Sequence, residues 1–274
     1  MESRETGRGN QQSSPDSLVI IPPAPLLCVN LRPSADSTAL VSGFGLGRPS
    51  AFSILRWVKL KHWLRYKLLH DTTWQGQFSA LGRLLLKRHP IERFVVDVGA
   101  NDGLYSSNSY PFIRRDWRAL LIEPHPEAFE RARRLHQTNP EVTVLNLACS
   151  DHPGQMELNL FEGDEGGSLS ALANGPSDTA ATRRTVNRVQ VEVTTLENLL
   201  SERRIAPEFG LLTVDTEGHD FAVIRGLNLR RFQPRAIITE KFHDDPAKFE
   251  HLRQHGYRLY ADLEFDTIWT VLET

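Results

Sequence analysis

The sequence of this chain reads Phe-Val-Val-Asp-Val-Gly-Ala-Asn-Asp-Gly from residue 94 to residue 103. Residues 94–98 are apolar, short as a run and rich in β-branched side chains, which is typical of a buried parallel strand. Residues 99–103 then predict a tight turn where the backbone can approach a ligand closely, because glycine has no Cβ. A helix is predicted next, near residues 104–114. This order of strand, glycine turn and helix forms the ligand-binding corner of a doubly wound α/β sheet.

The details of the glycine turn do not suit a dinucleotide. The order is Asp-x-Gly-x-Asn-x-Gly, formed by Asp97, Gly99, Asn101 and Gly103, and it differs from the Gly-x-Gly-x-x-Gly of dinucleotide sites. A carboxylate at Asp97 would repel a pyrophosphate, whereas it suits a ligand that carries a cation. The amino group and the sulfonium of S-adenosylmethionine are such cations, so this stretch predicts S-adenosylmethionine as the cofactor.

Length, charge and cysteine content restrict the class of protein. The chain has 274 residues, a formal net charge of -2 and two cysteines, Cys28 and Cys149. This length fits one large α/β domain with appendages, and the near-balanced charge gives no electrostatic case for a nucleic acid partner. Two distant cysteines favour a reducing compartment. No apolar run reaches the ~20 residues of a membrane span, so we expect a cytoplasmic protein without a transmembrane span.

The chain divides into three segments by composition and periodicity. Residues 1–50 are rich in Ser, Pro, Gly and Asn without periodicity, which predicts a disordered N-terminal segment. Residues 51–90 carry Trp57, Trp63 and other apolar residues at helical spacing between basic ones, which predicts a helical N-terminal extension. This helix either caps the sheet, which we favour, or lies on a membrane surface. Residues 91–274 form the third segment.

Strands and helices alternate through residues 91–274, which predicts right-handed crossovers and a mostly parallel sheet. Residues 155–161 and 189–194 alternate in the manner of exposed strands. Between them, residues 162–188 are rich in small and polar side chains and predict a long loop. Residues 258–261 and 267–272 predict an antiparallel pair at the edge of the sheet.

Acidic and polar residues follow three predicted strands, and the ligands of such sheets lie beyond these carboxyl ends. The first end carries Asp97 and its glycine turn. Glu123 ends the second strand, about 20 residues past the last turn glycine, where an acid can bind both hydroxyls of a ribose. Ser150 and Asp151 follow the third strand, where they either meet an adenine edge or form only a turn. One acid alone could be a solvated strand end, but the combination favours a nucleoside site.

The fourth strand end is the most crowded with polar groups. Asp215 and Glu217 follow the fourth strand of the core, and Glu240 and His243 follow the next one. We favour a general base that takes a proton from an acceptor hydroxyl, with Asp215, Glu217 and His243 as the candidates. The alternatives are a metal site built from the same carboxylates and histidines, and a plain helix start where acids are favoured by the helix dipole.

Taken together, these segments resemble the FkbM family of S-adenosylmethionine-dependent methyltransferases. The resemblance rests on the motifs at residues 95–106, 121–126, 166–169, 193–196 and 211–220, in this order and at this spacing. The Asp-x-Glu-Gly block at residues 215–218 is more specific to the family than the glycine turn. Two positions depart from the usual family pattern, Lys-Ile-Asp-x-Glu-Gly-x-Glu. Thr213 replaces the lysine and Asp220 replaces the final glutamate.

The resemblance implies a Rossmann-like class I methyltransferase fold, with a mostly parallel seven-stranded sheet and helices on both faces. It also implies O-methylation of a hydroxyl on a sugar or a polyketide-type small metabolite, so the expected partner is a small-molecule or glycan acceptor. Two rival classes stay open. One is an S-adenosylmethionine-binding protein without catalysis, and the other is a nucleotide-sugar or dinucleotide enzyme.

Overall fold

A computed structural model of the chain describes residues 73, 77–87, 91–161, 171–172, 185–241 and 246–271. The N-terminal segment predicted at residues 1–50, Trp57 and Trp63 of the predicted helical extension, residues 166–169 and His243 lie outside these ranges. One described helix, α1 (Gln77–Lys87), falls within the segment predicted to be helical. Among the described helices, none is long and apolar enough to cross a membrane.

Eleven strands and five further helices follow the same chain order within the described ranges. The strands are β1 (Phe94–Val98), β2 (Arg118–Ile122), β3 (Val142–Leu145), β4 (Ala148–Ser150), β5 (Gly154–Phe161), β6 (Ala171–Leu172), β7 (Thr185–Thr195), β8 (Glu208–Val214), β9 (Gln233–Glu240), β10 (Arg258–Asp262) and β11 (Asp266–Thr270). The helices are α2 (Tyr110–Ile113), α3 (Pro126–His136), α4 (Leu196–Glu202), α5 (Asp220–Arg225) and α6 (Pro246–Gln254).

Seven strands form the central sheet in the order β10-β11-β9-β8-β1-β2-β3. The five strands from β9 to β3 are parallel, and β11 runs antiparallel to both β9 and β10. The predicted class I methyltransferase fold is therefore confirmed, including the antiparallel pair at one edge. Because the parallel strands share one direction, the ends of β1, β2, β8 and β9 meet at the same edge of the sheet.

Two apolar layers cover the central sheet, because alternate side chains of each strand point to opposite faces. On one face, Val96 and Leu212 pack with Leu199 of α4 and Ile224 of α5. On the other face, Val95 and Leu211 pack with apolar residues of α1 and α2. Asp97 and Thr213 lie two residues further along these strands, so they belong to the face covered by α1 and α2.

A second sheet of four strands, in the order β4-β7-β5-β6, was not foreseen from the sequence. Its long antiparallel pair β5–β7 buries Leu158, Val191 and Val193 in a small apolar cluster of its own. The predicted loop over residues 162–188 is wrong at its end, since β7 already begins at Thr185. The cause is that most residues at the start of β7 are exposed, so its sequence there lacks the alternation of apolar and polar residues that marks a strand.

The helix predicted near residues 104–114 is also wrong in its extent. Only α2 (Tyr110–Ile113) is helical, and residues 104–109 form turns instead. Asp102 explains the start of these turns, because its side chain accepts hydrogen bonds from the backbone N–H groups of Leu104 and Tyr105. Such local bonds from Asp compete with helix formation.

Candidate active site

The glycine turn after β1 packs directly against the segment that follows β8. Gly99 adopts a φ of 83°, and a Cβ at this position would lie 1.8 Å from the carbonyl oxygen of Asp215. Only glycine fits both the conformation and the space. Two residues later Asn101 also has a positive φ, of 50°. The backbone N–H of Asp215 in turn donates to the carbonyl of Val98 at 2.9 Å, so the two candidate sites are adjacent.

Asp97 lies at the floor of this corner and is only 3% exposed. The hydroxyl of Ser109 donates to its Oδ2 at 2.5 Å. Burial raises the pKa of Asp97 to about 6, although the hydrogen bond from Ser109 acts in the opposite direction. At neutral pH this carboxylate is mostly ionised, and it lies in surroundings that strengthen its attraction for a cation.

Glu123 follows β2 and links that strand to the glycine turn. Its two oxygens accept the backbone N–H of Asn101 at 2.7 Å and the backbone N–H of His125 at 2.8 Å. It is 4% exposed, and burial raises its pKa to about 7, with the hydrogen bonds from His125 and Asn101 opposing the rise. A carboxylate can accept about four hydrogen bonds, so two sites remain for a ligand's hydroxyl groups.

Ser150 and Asp151 are held by protein partners. The Oγ of Ser150 lies 3.0 Å from Nε2 of His219, and Asp151 forms ion pairs with Arg225 and His152. Burial lowers the pKa of His219 and favours its neutral ring. The side chains of Ser150 and Asp151 therefore connect the end of β4 to α5 and the residue before it. An adenine contact at Ser150 or Asp151 stays a prediction.

Three carboxyl groups converge where β8 and β9 end. The three groups each contribute one carboxylate oxygen, and these three oxygens, from Asp215, Glu217 and Glu240, lie within 4.8 Å of one another. This spacing could hold a metal ion. Burial raises the pKa of Glu240 to about 9, and the charges of Asp220 and Glu217 add to the rise. Glu240 therefore keeps its proton to higher pH than an ordinary glutamate. We call Asp215, Glu217 and Glu240 the acid cluster.

Asp215 is exposed to solvent even though many protein atoms surround its carboxyl group. Its pKa is raised well above the usual range, first by burial and then by the charges of Glu240 and Glu217. A carboxylate with a raised pKa is a better proton acceptor than an ordinary aspartate, because its conjugate acid is weaker. The acid cluster can therefore supply a base, and its protonated member can donate a hydrogen bond.

A buried scaffold holds the acid cluster together. Asp220 accepts four hydrogen bonds, from the N–H and hydroxyl of Thr216, the hydroxyl of Thr239 and the N–H of Glu240. The fully buried Lys248 donates to the carbonyl of Glu240 at 2.5 Å and lies 3.9 Å from Asp220. This scaffold fixes the ends of β8 and β9 against the repulsion between the acids. Asp220 thus has a structural role, and it does not itself belong to the mouth of the site.

Comparison with known proteins identifies the family. Residues 97–259, more than half of the chain, match the family model described as a methyltransferase FkbM domain. The chain belongs to the FkbM methyltransferase family. The family is one of S-adenosylmethionine-dependent methyltransferases, and the matched range of the FkbM domain contains the glycine turn, Glu123 and the acid cluster.

The individual proteins that are similar to this FkbM domain share 30% sequence identity with it or less in the examples that follow. Methyltransferase 1 of Beauveria bassiana (strain ARSEF 2860) is 30% identical over 156 residues, which cover 51% of this chain and 60% of that protein. The chain thus spans less than two thirds of the length of this curated relative. Among solved structures, the FkbM methyltransferase of Methylobacillus flagellatus KT has 14% identity and a TM-score of 0.43, covering 81% of this chain and 55% of that one. The N-terminal domain of human METTL16 in complex with SAH has 13% identity and a TM-score of 0.38, covering 72% and 68%.

The residues of the FkbM domain fit S-adenosylmethionine. Asp97 offers a buried carboxylate to a cation, Glu123 keeps two free acceptor positions for ribose hydroxyls, and Gly99 leaves the backbone open. The amide oxygen of Asn101 is buried without a hydrogen-bond partner among the described residues, as expected where a ligand supplies the donor.

The raised pKa values of Asp97 and Glu123 predict a pH dependence of cofactor binding. The ammonium and hydroxyl donors of the ligand bind the ionised forms of Asp97 and Glu123. At a pH where the free protein carries a proton on either carboxylate, that proton must leave before the ligand binds. Affinity should therefore fall as pH falls through about 7 and again through about 6. Between pH 8 and pH 6 we expect about a twentyfold loss of affinity for S-adenosylhomocysteine, about tenfold from Glu123 and about twofold from Asp97. Calorimetry at four pH values measures it, and an affinity that is constant over this range would contradict these assignments.

Several residues of the site escaped the sequence analysis. Ser109 bonds Asp97, Lys248 holds the scaffold, and Gln77 at the start of α1 donates to Asp266, which pairs in register with Glu240. The polar run at residues 106–109 and the proline at position 111 indicate that the helix begins only near residue 110, because Pro favours the first turn of a helix. No local signal marks Lys248 or Gln77, since both act across long separations in sequence.

Proposed function

We propose that this enzyme transfers the methyl group of S-adenosylmethionine to a hydroxyl oxygen of a sugar or another small, uncharged metabolite. The proposal is supported chiefly by the contact between the two sites. The backbone N–H of Asp215 donates to the carbonyl of Val98, directly before the glycine turn that suits the cofactor, at 2.9 Å, and Gly99 packs against the carbonyl of Asp215. An acceptor bound at the acid cluster would thus lie beside the cofactor, and such positioning supplies much of the catalysis of a transfer reaction.

The cofactor supplies an electrophilic methyl group on a sulfonium. The residues of this chain would hold the acceptor hydroxyl. Asp215 or Glu217 would take its proton as the oxygen forms its new bond to the methyl carbon, while the bond from that carbon to the sulfonium sulfur breaks and S-adenosylhomocysteine leaves. Glu240, whose raised pKa favours the protonated form, would donate a hydrogen bond that orients the acceptor. His243, the remaining candidate base, follows the same strand as Glu240 but lies outside the described residues.

The charge of the mouth favours an uncharged or cationic acceptor. The three carboxyl groups of the acid cluster lie close together, and the nearby lysines are already engaged within the protein. Lys248 donates to the carbonyl of Glu240, and Lys241 binds Asp262 and the carbonyl of Leu263. A phosphate group would be repelled here, which also argues against nucleic acid as the acceptor.

A second candidate is supported by the same spacing of carboxylates. Three oxygens within 4.8 Å could hold a divalent cation such as Mg²⁺, which prefers oxygen ligands. The reaction would then be metal-assisted O-methylation, and phosphorylated acceptors would no longer be excluded by charge. A chelator separates the two candidates, because it abolishes only the metal-assisted reaction.

The test is a product screen with purified protein and S-adenosylmethionine. Uncharged sugars, glycosides and hydroxylated metabolites are offered beside their phosphorylated counterparts, with and without EDTA. We expect a product heavier by one methylene group with an uncharged acceptor, at least tenfold less with its phosphorylated counterpart, and no effect of EDTA. Binding of S-adenosylhomocysteine without any methylated product would favour a non-catalytic binding protein. Competition by NAD for the cofactor site would favour the dinucleotide enzyme.

A further inference from the structure

A buried asparagine beside the glycine turn has one half of its amide unpaired. Asn108 is 7% exposed, and its Nδ2 donates to the hydroxyl of Thr213 on β8 at 3.2 Å. Its Oδ1 is enclosed and has no hydrogen-bond partner anywhere in the described ranges. A buried acceptor without a donor is unfavourable, and native structures contain few of them.

Two independent connections place Asn108 next to Asp97. Its neighbour Ser109 donates to the Asp97 carboxylate, and its own partner Thr213 faces Asp97 across β1 and β8 in the same register. Residues paired in register on parallel strands point to the same face of the sheet. The Asn108 amide and the Asp97 carboxylate therefore belong to one polar pocket beneath the face that α1 and α2 cover.

The chemistry of this pocket is rich in acceptors. Ser109 gives its hydroxyl proton to Asp97, and the Nδ2 of Asn108 is taken by Thr213, which leaves Oδ1 of Asn108 and the Asp97 carboxylate as acceptors. A ligand that complements them must bring several N–H donors and a positive charge. A primary ammonium has three donors and one positive charge.

The segment that carries Asn108 has no regular hydrogen-bond ladder to hold it. Residues 104–109 form turns between the glycine turn and α2, where a helix was predicted. Turns of this kind adjust more easily than helices when a ligand arrives. A small movement of this segment would turn Oδ1 from an enclosed position toward a ligand above Asp97.

From these contacts we propose that Asn108 is a binding residue for the α-ammonium of the cofactor, acting together with Asp97. This inference rests on the proposed use of the Asp97 corner for the amino acid part of S-adenosylmethionine. Thr213 has a positioning role in it, because its hydroxyl fixes which atom of the amide is free. A structural asparagine would stabilise the turn and would not distinguish ligands by their amino group.

The test compares two ligands by calorimetry: S-adenosylhomocysteine and its analogue that lacks the α-amino group. The wild-type protein should bind the first at least tenfold more tightly. Asn108→Ala should weaken binding of S-adenosylhomocysteine about tenfold and leave the affinity for the deaminated analogue within twofold. Asn187→Ala, at an exposed asparagine of β7 far along the chain, serves as the control and should change neither affinity.

Equal losses for both ligands in Asn108→Ala, or no loss for either, would overturn the proposal. If that variant does not fold, the isosteric Asn108→Asp replaces it. The added carboxylate should increase the ratio of the affinity for S-adenosylhomocysteine to the affinity for the deaminated analogue. A decrease in this ratio would overturn the assignment of Oδ1. If the wild-type protein binds neither ligand, the cofactor site itself is wrong, which is a different result from the failure of Asn108 alone.

Discussion

Asp215→Asn is expected to lower the turnover number by about 10²–10⁴-fold while the affinity for S-adenosylhomocysteine stays within twofold of wild type. This decrease in turnover is the typical contribution of a general base, because the substitution removes the proton acceptor and leaves the cofactor site intact. Asp215 is suited to that role because its pKa is raised and because it is exposed, so an acceptor can reach it. Its backbone contact with Val98 places it beside the cofactor corner.

The measurement combines turnover, cofactor affinity and thermal unfolding for Asp215→Asn and Glu217→Gln. Asp262→Asn is the matched control, because this acid pairs with Lys241 outside the acid cluster and should leave turnover unchanged. A plain helix-start role would instead cost about 0.5–2 kcal/mol of stability, with activity following the folded fraction. If both cluster variants fold, bind and turn over normally, neither acid is the base, and Glu240 and His243 become the candidates.

The second large effect is expected at Glu123. Glu123→Ala should weaken cofactor binding at least tenfold, because charge-assisted hydrogen bonds to the ribose contribute about 1.5–3 kcal/mol. The same change also removes the acceptor of two backbone N–H groups, those of Asn101 and His125. Glu123→Gln separates these roles, since it keeps one acceptor oxygen and loses the charge.

Calorimetry with S-adenosylhomocysteine measures both Glu123 variants. Glu127→Ala, an exposed acid in the first turn of α3, controls for a general change of charge near the site. We expect the order wild type, Glu123→Gln, Glu123→Ala from the tightest to the weakest binding. An unchanged affinity in Glu123→Ala would remove the ribose assignment.

The central sheet could be predicted from the sequence because its strands are buried on both faces. Uninterrupted apolar runs such as those of β1 and β8 need no alternation to be recognised, and each ends in an acid at the ligand edge. The second sheet could not be predicted, since β7 exposes most of its first half, and among the described strands that half pairs with β5 alone. The helix after the glycine turn was overpredicted because the local bonds of Asp102 were ignored.

The site could be predicted only where its residues follow a strand. Asp97, Glu123, Asp215 and Glu217 have that position, and the structure brings them to one edge of the sheet. Asn108, Asp266 and Lys248 come from turns, an antiparallel strand and a helix, and long-range pairing alone places them. Their contribution depends on the tertiary fold, which a spacing rule does not contain.

The position of β11 has a consequence for biosynthesis. This strand lies between β9 and β10, and among the strands that the structure describes β10 has no other partner in the central sheet. Although β10 is synthesised first, it cannot join the sheet until β11 has left the ribosome and paired with β9. Asp266, which lies opposite Glu240 in that pairing, arrives in the same late step. A nascent chain stopped before residue 266 would therefore lose two strands and one wall of the acceptor mouth together, with an exposed edge on β9 that invites aggregation.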